Sequence, residues 1–140
     1  MREILFRGKE KDGGSFDGKW RYGDLVRVKE GSVTKTRIFE KNIGYLVVSE
    51  TVGEYTGLTD RNGKKIFEGD ILQDKFGQIK IVDYCDQWGA FRTCFVRALN
   101  EEGKIVATVG GASFVGTIWR KYEVIGNIHD NPELLEEKEK

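Results

Sequence analysis

One proline, one histidine and two cysteines in 140 residues leave few of the side chains from which reactive sites are usually built. Any Ser-His-Asp or Cys-His relay would need His129, the only histidine. That residue sits in Asn127-Ile128-His129-Asp130-Asn131-Pro132, a run of turn formers, so it reads as a turn residue rather than a general base. Cys85 and Cys94 lie nine residues apart, which fits neither C-x-x-C redox chemistry nor paired zinc knuckles. They read as free thiols packed as small apolar strand residues, and with no apolar N-terminal run the expected compartment is a reducing cytosol. Long hydrophobic stretches are also missing. The longest uncharged run, Ile105 to Trp119, is broken by Gly110-Gly111 and Gly116 and falls short of the roughly 20 apolar residues that cross a bilayer, so no membrane partner is expected.

Net charge is the next absence. Lysine plus arginine equals aspartate plus glutamate at 23 each, so the chain lacks the basic excess typical of nucleic-acid binders. The distribution is uneven: residues 1–41 hold 11 basic and 7 acidic side chains. Glycine, in contrast, is plentiful. Eighteen glycines against one proline describe many tight turns and favour an all-β class.

The densest patterning is Val52-Gly53-Glu54-Tyr55-Thr56-Gly57-Leu58-Thr59-Asp60-Arg61-Asn62-Gly63-Lys64-Lys65-Ile66-Phe67-Glu68-Gly69-Asp70-Ile71-Leu72. Asn62-Gly63 predicts a hairpin with a type I′ turn, and Gly69-Asp70 a second reversal. Upstream, Trp20 and Tyr22 alternate with Lys19 and Arg21, placing the aromatics on one strand face and the cations on the other. Gly23-Asp24 then reads as a break. A loose echo links Asp17-Gly18-Lys19 and Gly23-Asp24-Leu25-Val26 to Asn62-Gly63-Lys64 and Gly69-Asp70-Ile71-Leu72, with unequal spacing, so it is no solenoid repeat. Downstream, Gln78 to Tyr84, Phe91 to Val96 and Ile105 to Val109 read as strands, Thr108 to Gly116 as a flexible loop, and Asn131-Pro132-Glu133 as the capped start of a short helix.

The central run resembles the core motif of the YopX proteins of bacteriophages and prophages. The opening Arg2-Glu3-Ile4-Leu5-Phe6-Arg7 and the closing Tyr122 to Leu135 resemble that family's ends, with residues 78–117 matching loosely. The resemblance implies a phage or prophage gene expressed in a bacterial cytoplasm; it carries no known activity. The expected architecture is mainly β: an N-terminal β unit over residues 1–52, a central hairpin and SH3-like barrel over 53–132, and a short helix and tail over 133–140.

Chemistry-bearing candidates are few. Gly110-Gly111-Ala112-Ser113 lacks the Gly-Lys-Ser/Thr of a phosphate loop. Asp60, Glu68 and Asp70 cluster in sequence and could hold a hard cation or serve carboxylate hydrolysis, although turn-forming acids explain them too. The expectation is a protein that is not an enzyme, with no cofactor and no metal. Binding residues are sought at Trp88, Phe91, Ser113 and Phe114, for a protein partner or self-association through an open strand edge. The alternative is single-stranded nucleic acid on Trp20, Tyr22, Lys19 and Arg21, where inward packing of the aromatics competes.

Overall fold

The structure is a computed structural model that describes residues 2–11, 18–113 and 118–136, without the side chains of residues 112, 113, 118 and 119. It is built almost entirely of antiparallel strands, and it divides into two units, Met1–Gly57 and Leu58–Lys140. No helix among the described residues is long and apolar enough to cross a membrane.

The first unit contains β1 (Phe6–Lys9), β2 (Trp20–Glu30), β3 (Val33–Glu40) and β4 (Ile43–Leu46), and most of β5 (Gly53–Thr59), in the order β4-β3-β2-β1-β5. β2 changes partners along its length: Trp20 to Gly23 pair with β1, and Asp24 to Glu30 pair with β3. Gly23 is therefore not the break its composition suggests. It sits at the handover within one continuous strand, where any Cβ would collide with the carbonyl oxygen of Phe39. Backbone against backbone leaves no flexible end to yield, so Gly23→Ala is expected to cost about 1–3 kcal/mol, read as a lower urea midpoint with unchanged slope. The small core beneath this sheet is Ile38, Val47 and Val48, closed by Thr36 to Ser49 and by the Thr51 hydroxyl donating to the Val48 carbonyl.

The two-residue loop with left-handed backbone lies at Lys41-Asn42, with φ of 50° and 70°, between Glu40 and Ile43. That is the type I′ pattern. Asn62-Gly63 takes another form. Only Gly63 has positive φ, its N–H donates to Asp60 O, and Asp60 N–H donates to Lys64 O, giving a four-residue turn between β5 and β6 (Lys65–Phe67). The Asp60 carboxylate captures this turn by accepting the N–H groups of Asn62 and Lys64. The same device recurs at Asp74-Lys75-Phe76-Gly77 and at Asn100-Glu101-Glu102-Gly103, each with a left-handed glycine.

The second unit also holds β7 (Asp70–Gln73), β8 (Ile79–Cys85), β9 (Ala90–Leu99), β10 (Ile105–Ser113) and β11 (Glu123–Asn127) in the order β10-β9-β8-β7-β11. Among the described residues the sheet stays open, with β10 and β11 as its ends, so the mainly β class holds without a closed SH3-like barrel being shown. Apolar side chains lie on both faces. Ile66, Leu72, Val82, Tyr122 and Val124 make one cluster; Ile71, Ile81 and Cys94 begin the other, which the C-terminal residues Leu134 and Leu135 help to cover. This two-sided burial explains why Ile71-Leu72 reads as a continuous apolar pair rather than an alternation. Residues 108–113, expected as loop, are strand: Thr108 faces Val96 and Ser113 faces Arg92 across shifts in register. Bulges spoil the alternation by which a strand is recognised. The terminal helix is one short 3-10 turn, Pro132–Leu135, and Asn131 gives it no side-chain cap because its Oδ1 accepts the N–H of Asn127.

Candidate functional site

β8 and β9 are joined by Asp86-Gln87-Trp88-Gly89, closed by Gly89 N–H donating to Asp86 O at 3.3 Å with Gly89 at φ 61°. The turn leaves the Trp88 ring half exposed at the tip, 50% accessible. Counting back from it fixes what stands opposite what: Cys85 with Ala90, Tyr84 with Phe91, Asp83 with Arg92. Residues paired this way share a face, so one side of the tip carries Asp83 and Arg92 and the other carries Tyr84 and Phe91.

On the first side Arg92 donates to both Asp83 oxygens, from Nε at 2.8 Å and Nη2 at 3.2 Å, and its guanidinium lies 5.5 Å from the centre of the Trp88 ring. The Asp83 hydrogen bond raises the Arg92 pKa, so the charge is permanent. Gly111 on β10 makes room for this arrangement: a Cβ there would stand 3.0 Å from Arg92 Cδ and Nη1. Gly110, at φ 70° in the bulge, stands instead against Phe95, whose ring a Cβ there would approach to 3.4 Å. On the second side Tyr84 and Phe91 meet edge to face, ring centres 5.2 Å apart, with Tyr84 exposed. The result is a tip whose aromatic and cationic groups are fixed by neighbours before anything binds.

A family model for YopX protein matches residues 5–136. The chain belongs to the YopX family. Among solved structures, protein EF1440 from Enterococcus faecalis is similar to this YopX-family chain at 23% identity and TM-score 0.51, over 97% of this chain and 100% of that one. That likeness concerns the fold. None of the curated proteins compared matches the chain.

Of the residues singled out from sequence, the YopX fold brings Trp88 and Phe91 to the two sides of one hairpin tip. Ser113 ends β10 beside Arg92 in register, its side chain outside the described residues, as is Phe114. Sequence reasoning missed Asp83, Tyr84 and Arg92. The signal was the cross-strand count outward from Asp86-x-x-Gly89, which sets opposite charges face to face.

Trp20, Tyr22, Lys19 and Arg21 belong to the first unit. The Trp20 ring is half-buried, with the Arg7 guanidinium 4.7 Å and Lys9 Nζ 5.9 Å from its centre. Arg21 on the opposite face is bound to Glu10 at 2.9 Å and Glu40 at 3.5 Å and lies over Tyr45 at 3.7 Å. Lys19 and Tyr22 are exposed, and Glu40 accepts the Tyr22 N–H. Trp20 and Arg21 are thus already engaged by the chain's own side chains.

Asp60 and Asp70 of the central motif serve the backbone, and Glu68 between them is half-buried. Asp60 is 3% exposed; its Oδ1 accepts from Asn62 and Lys64 and its Oδ2 from Val124 N–H at 2.9 Å, tying the turn to β11. Burial by itself raises its pKa, but the amides of Val124, Lys64 and Asn62 outweigh that and hold the group below its ordinary 3.8. Asp70 Oδ2 accepts the Phe67 N–H at 2.7 Å. No group of three or more His, Cys, Asp or Glu side chains gathers among the described residues. His129 donates its N–H to Asn127 Oδ1, as a turn residue does. Both cysteines are buried, and burial, reinforced by the charge of Asp83, pushes the Cys94 thiol up and away from thiolate chemistry.

Proposed function

We propose that this chain is a non-catalytic binding module, a phage or prophage accessory protein of the bacterial cytoplasm, and that it meets a protein partner at the tip of the β8–β9 hairpin. The observation that carries this reading is the half-exposed Trp88 lying over Arg92, itself clamped by Asp83. Tryptophan, tyrosine and arginine are the residues on which binding energy concentrates, and anchors already held in place lose little conformational entropy on binding. The phage setting is supported by membership of the YopX family.

The test is purification from the host without high-salt washing, with light scattering for molar mass, for the wild type and Trp88→Ala. The wild type is expected to carry a protein partner or a second copy. Trp88→Ala should keep the circular dichroism of the wild type and weaken the complex by roughly 30-fold or more, the loss of a hot spot worth about 2 kcal/mol. A clean monomer at every stage, or an unchanged complex with Trp88→Ala, would overturn the proposal.

A further inference from the structure

The hairpin of β2 and β3 extends beyond its neighbouring strands. β1 pairs with β2 only as far as Gly23, and β4 pairs with β3 only from Arg37 onward. Every residue from Val26 to Thr34 is exposed, so this stretch is a two-stranded ribbon open on both faces. A strand of five residues, Val26 to Glu30, spans about 17 Å. Between residues 26 and 37 stand Arg27, Lys29, Lys35 and Arg37 against one acid, Glu30. Glu30 pairs with Lys35 at 3.1 Å, whereas Arg27, Lys29 and Arg37 enter no ion pair among the described residues.

The register sorts these cations. Val26 faces Arg37 and Val28 faces Lys35 on one side; Arg27 faces Thr36 and Lys29 faces Thr34 on the other. Positive charge therefore projects from both faces of a slender ribbon. A flat protein surface would satisfy one face, and a second copy would set like charges together. A B-form major groove, about 12 Å wide, admits a two-stranded ribbon and flanks it with a phosphate wall on each side. We infer that the β2–β3 ribbon is a duplex-DNA contact, with Arg27, Lys29 and Arg37 on backbone phosphates. The chain as a whole is neutral, 23 basic against 23 acidic side chains, so the excess at the ribbon is a local one. The site belongs to the first unit and the Trp88 tip to the second.

The test is fluorescence anisotropy of the full chain with a labelled DNA duplex of about 20 base pairs at about 50 and about 200 mM salt, beside an RNA duplex of equal length. Three neutralised phosphates give a salt slope near −2.7 and a loss of affinity of roughly 40-fold between those concentrations. R27Q/K29Q/R37Q, two exposed positions and one half-buried, should retain the wild-type circular dichroism and lose both the binding and its salt dependence. A-form RNA has a deep, narrow major groove that excludes the ribbon, so RNA should bind more weakly. The inference is overturned by no salt-dependent binding of DNA, by equal binding of the triple variant, or by equal binding of RNA. A doubled molar mass that reverts with V26T/V28T in a chain that does not bind DNA would also overturn it, by assigning the face to a second copy.

Discussion

Asp60→Ala is expected to destabilise the second unit by about 3–4 kcal/mol, because it strips an acceptor from three backbone amides at once. Val124 N–H is buried and has no water to turn to, so its loss carries the full desolvation cost; the two turn amides are partly buried and lose less. Asp60→Asn keeps the shape and one carbonyl oxygen, and should cost about 1–2 kcal/mol. Proton linkage separates the two effects. The folded-state pKa of Asp60 is depressed, so its contribution is fully present above the ordinary value of 3.8 and is lost as the pH falls below that toward the folded pKa. Urea unfolding against pH should therefore show the wild-type advantage over Asp60→Asn narrowing on the acid side of 3.8 and constant above it. A gap independent of pH would mean that the carboxylate is not held as described.

Leu72→Ala is the other large effect, expected at about 2–5 kcal/mol. Leu72 is wholly buried on β7, between β8 and β11, and packs with Ile66, Val82, Tyr122 and Val124. Removal of three carbons leaves a hole that neighbours anchored in hydrogen-bonded strands refill poorly. Leu72→Met nearly conserves volume and should cost less than about 1.5 kcal/mol. Similar losses for the two variants in chemical denaturation would show that volume at this position is not what matters.

Much of the fold was legible because it is written in turns. The left-handed glycines 63, 77, 89 and 103 each close an Asp- or Asn-x-x-Gly turn, and the strands fall between them. The details that escaped are those in which one side chain overrides a local preference. Asn62-Gly63 has the composition of a type I′ turn, but the Asp60 carboxylate claims the amides on either side of Gly63 and sets a longer one. Gly23 resembles a strand break because close approach of the Phe39 carbonyl, a long-range contact, is invisible in the local pattern. The far half of β10 was hidden by the bulge after Val109, and barrel closure could not be told from an open sheet because both give the same succession of short strands.

The candidate site was half legible. Trp88 stood out because no strand alternation buries it, whereas Arg92, Asp83 and Tyr84 acquire meaning only once the β8–β9 register is known. Of Gly110-Gly111, set aside as a phosphate loop, Gly111 leaves the space that Arg92 occupies and Gly110 takes the left-handed backbone of the bulge.

The most direct measurement is photo-crosslinking in the bacterial host with a photoreactive amino acid at position 88, compared with the same residue at position 76. Phe76 is the better exposed of the two, at 79% against 50% for Trp88, and lies in the β7–β8 turn. If the β8–β9 tip is the contact surface, position 88 gives a discrete crosslinked protein band and position 76 does not. Crosslinks from position 76 alone, or equal labelling from both, would contradict it.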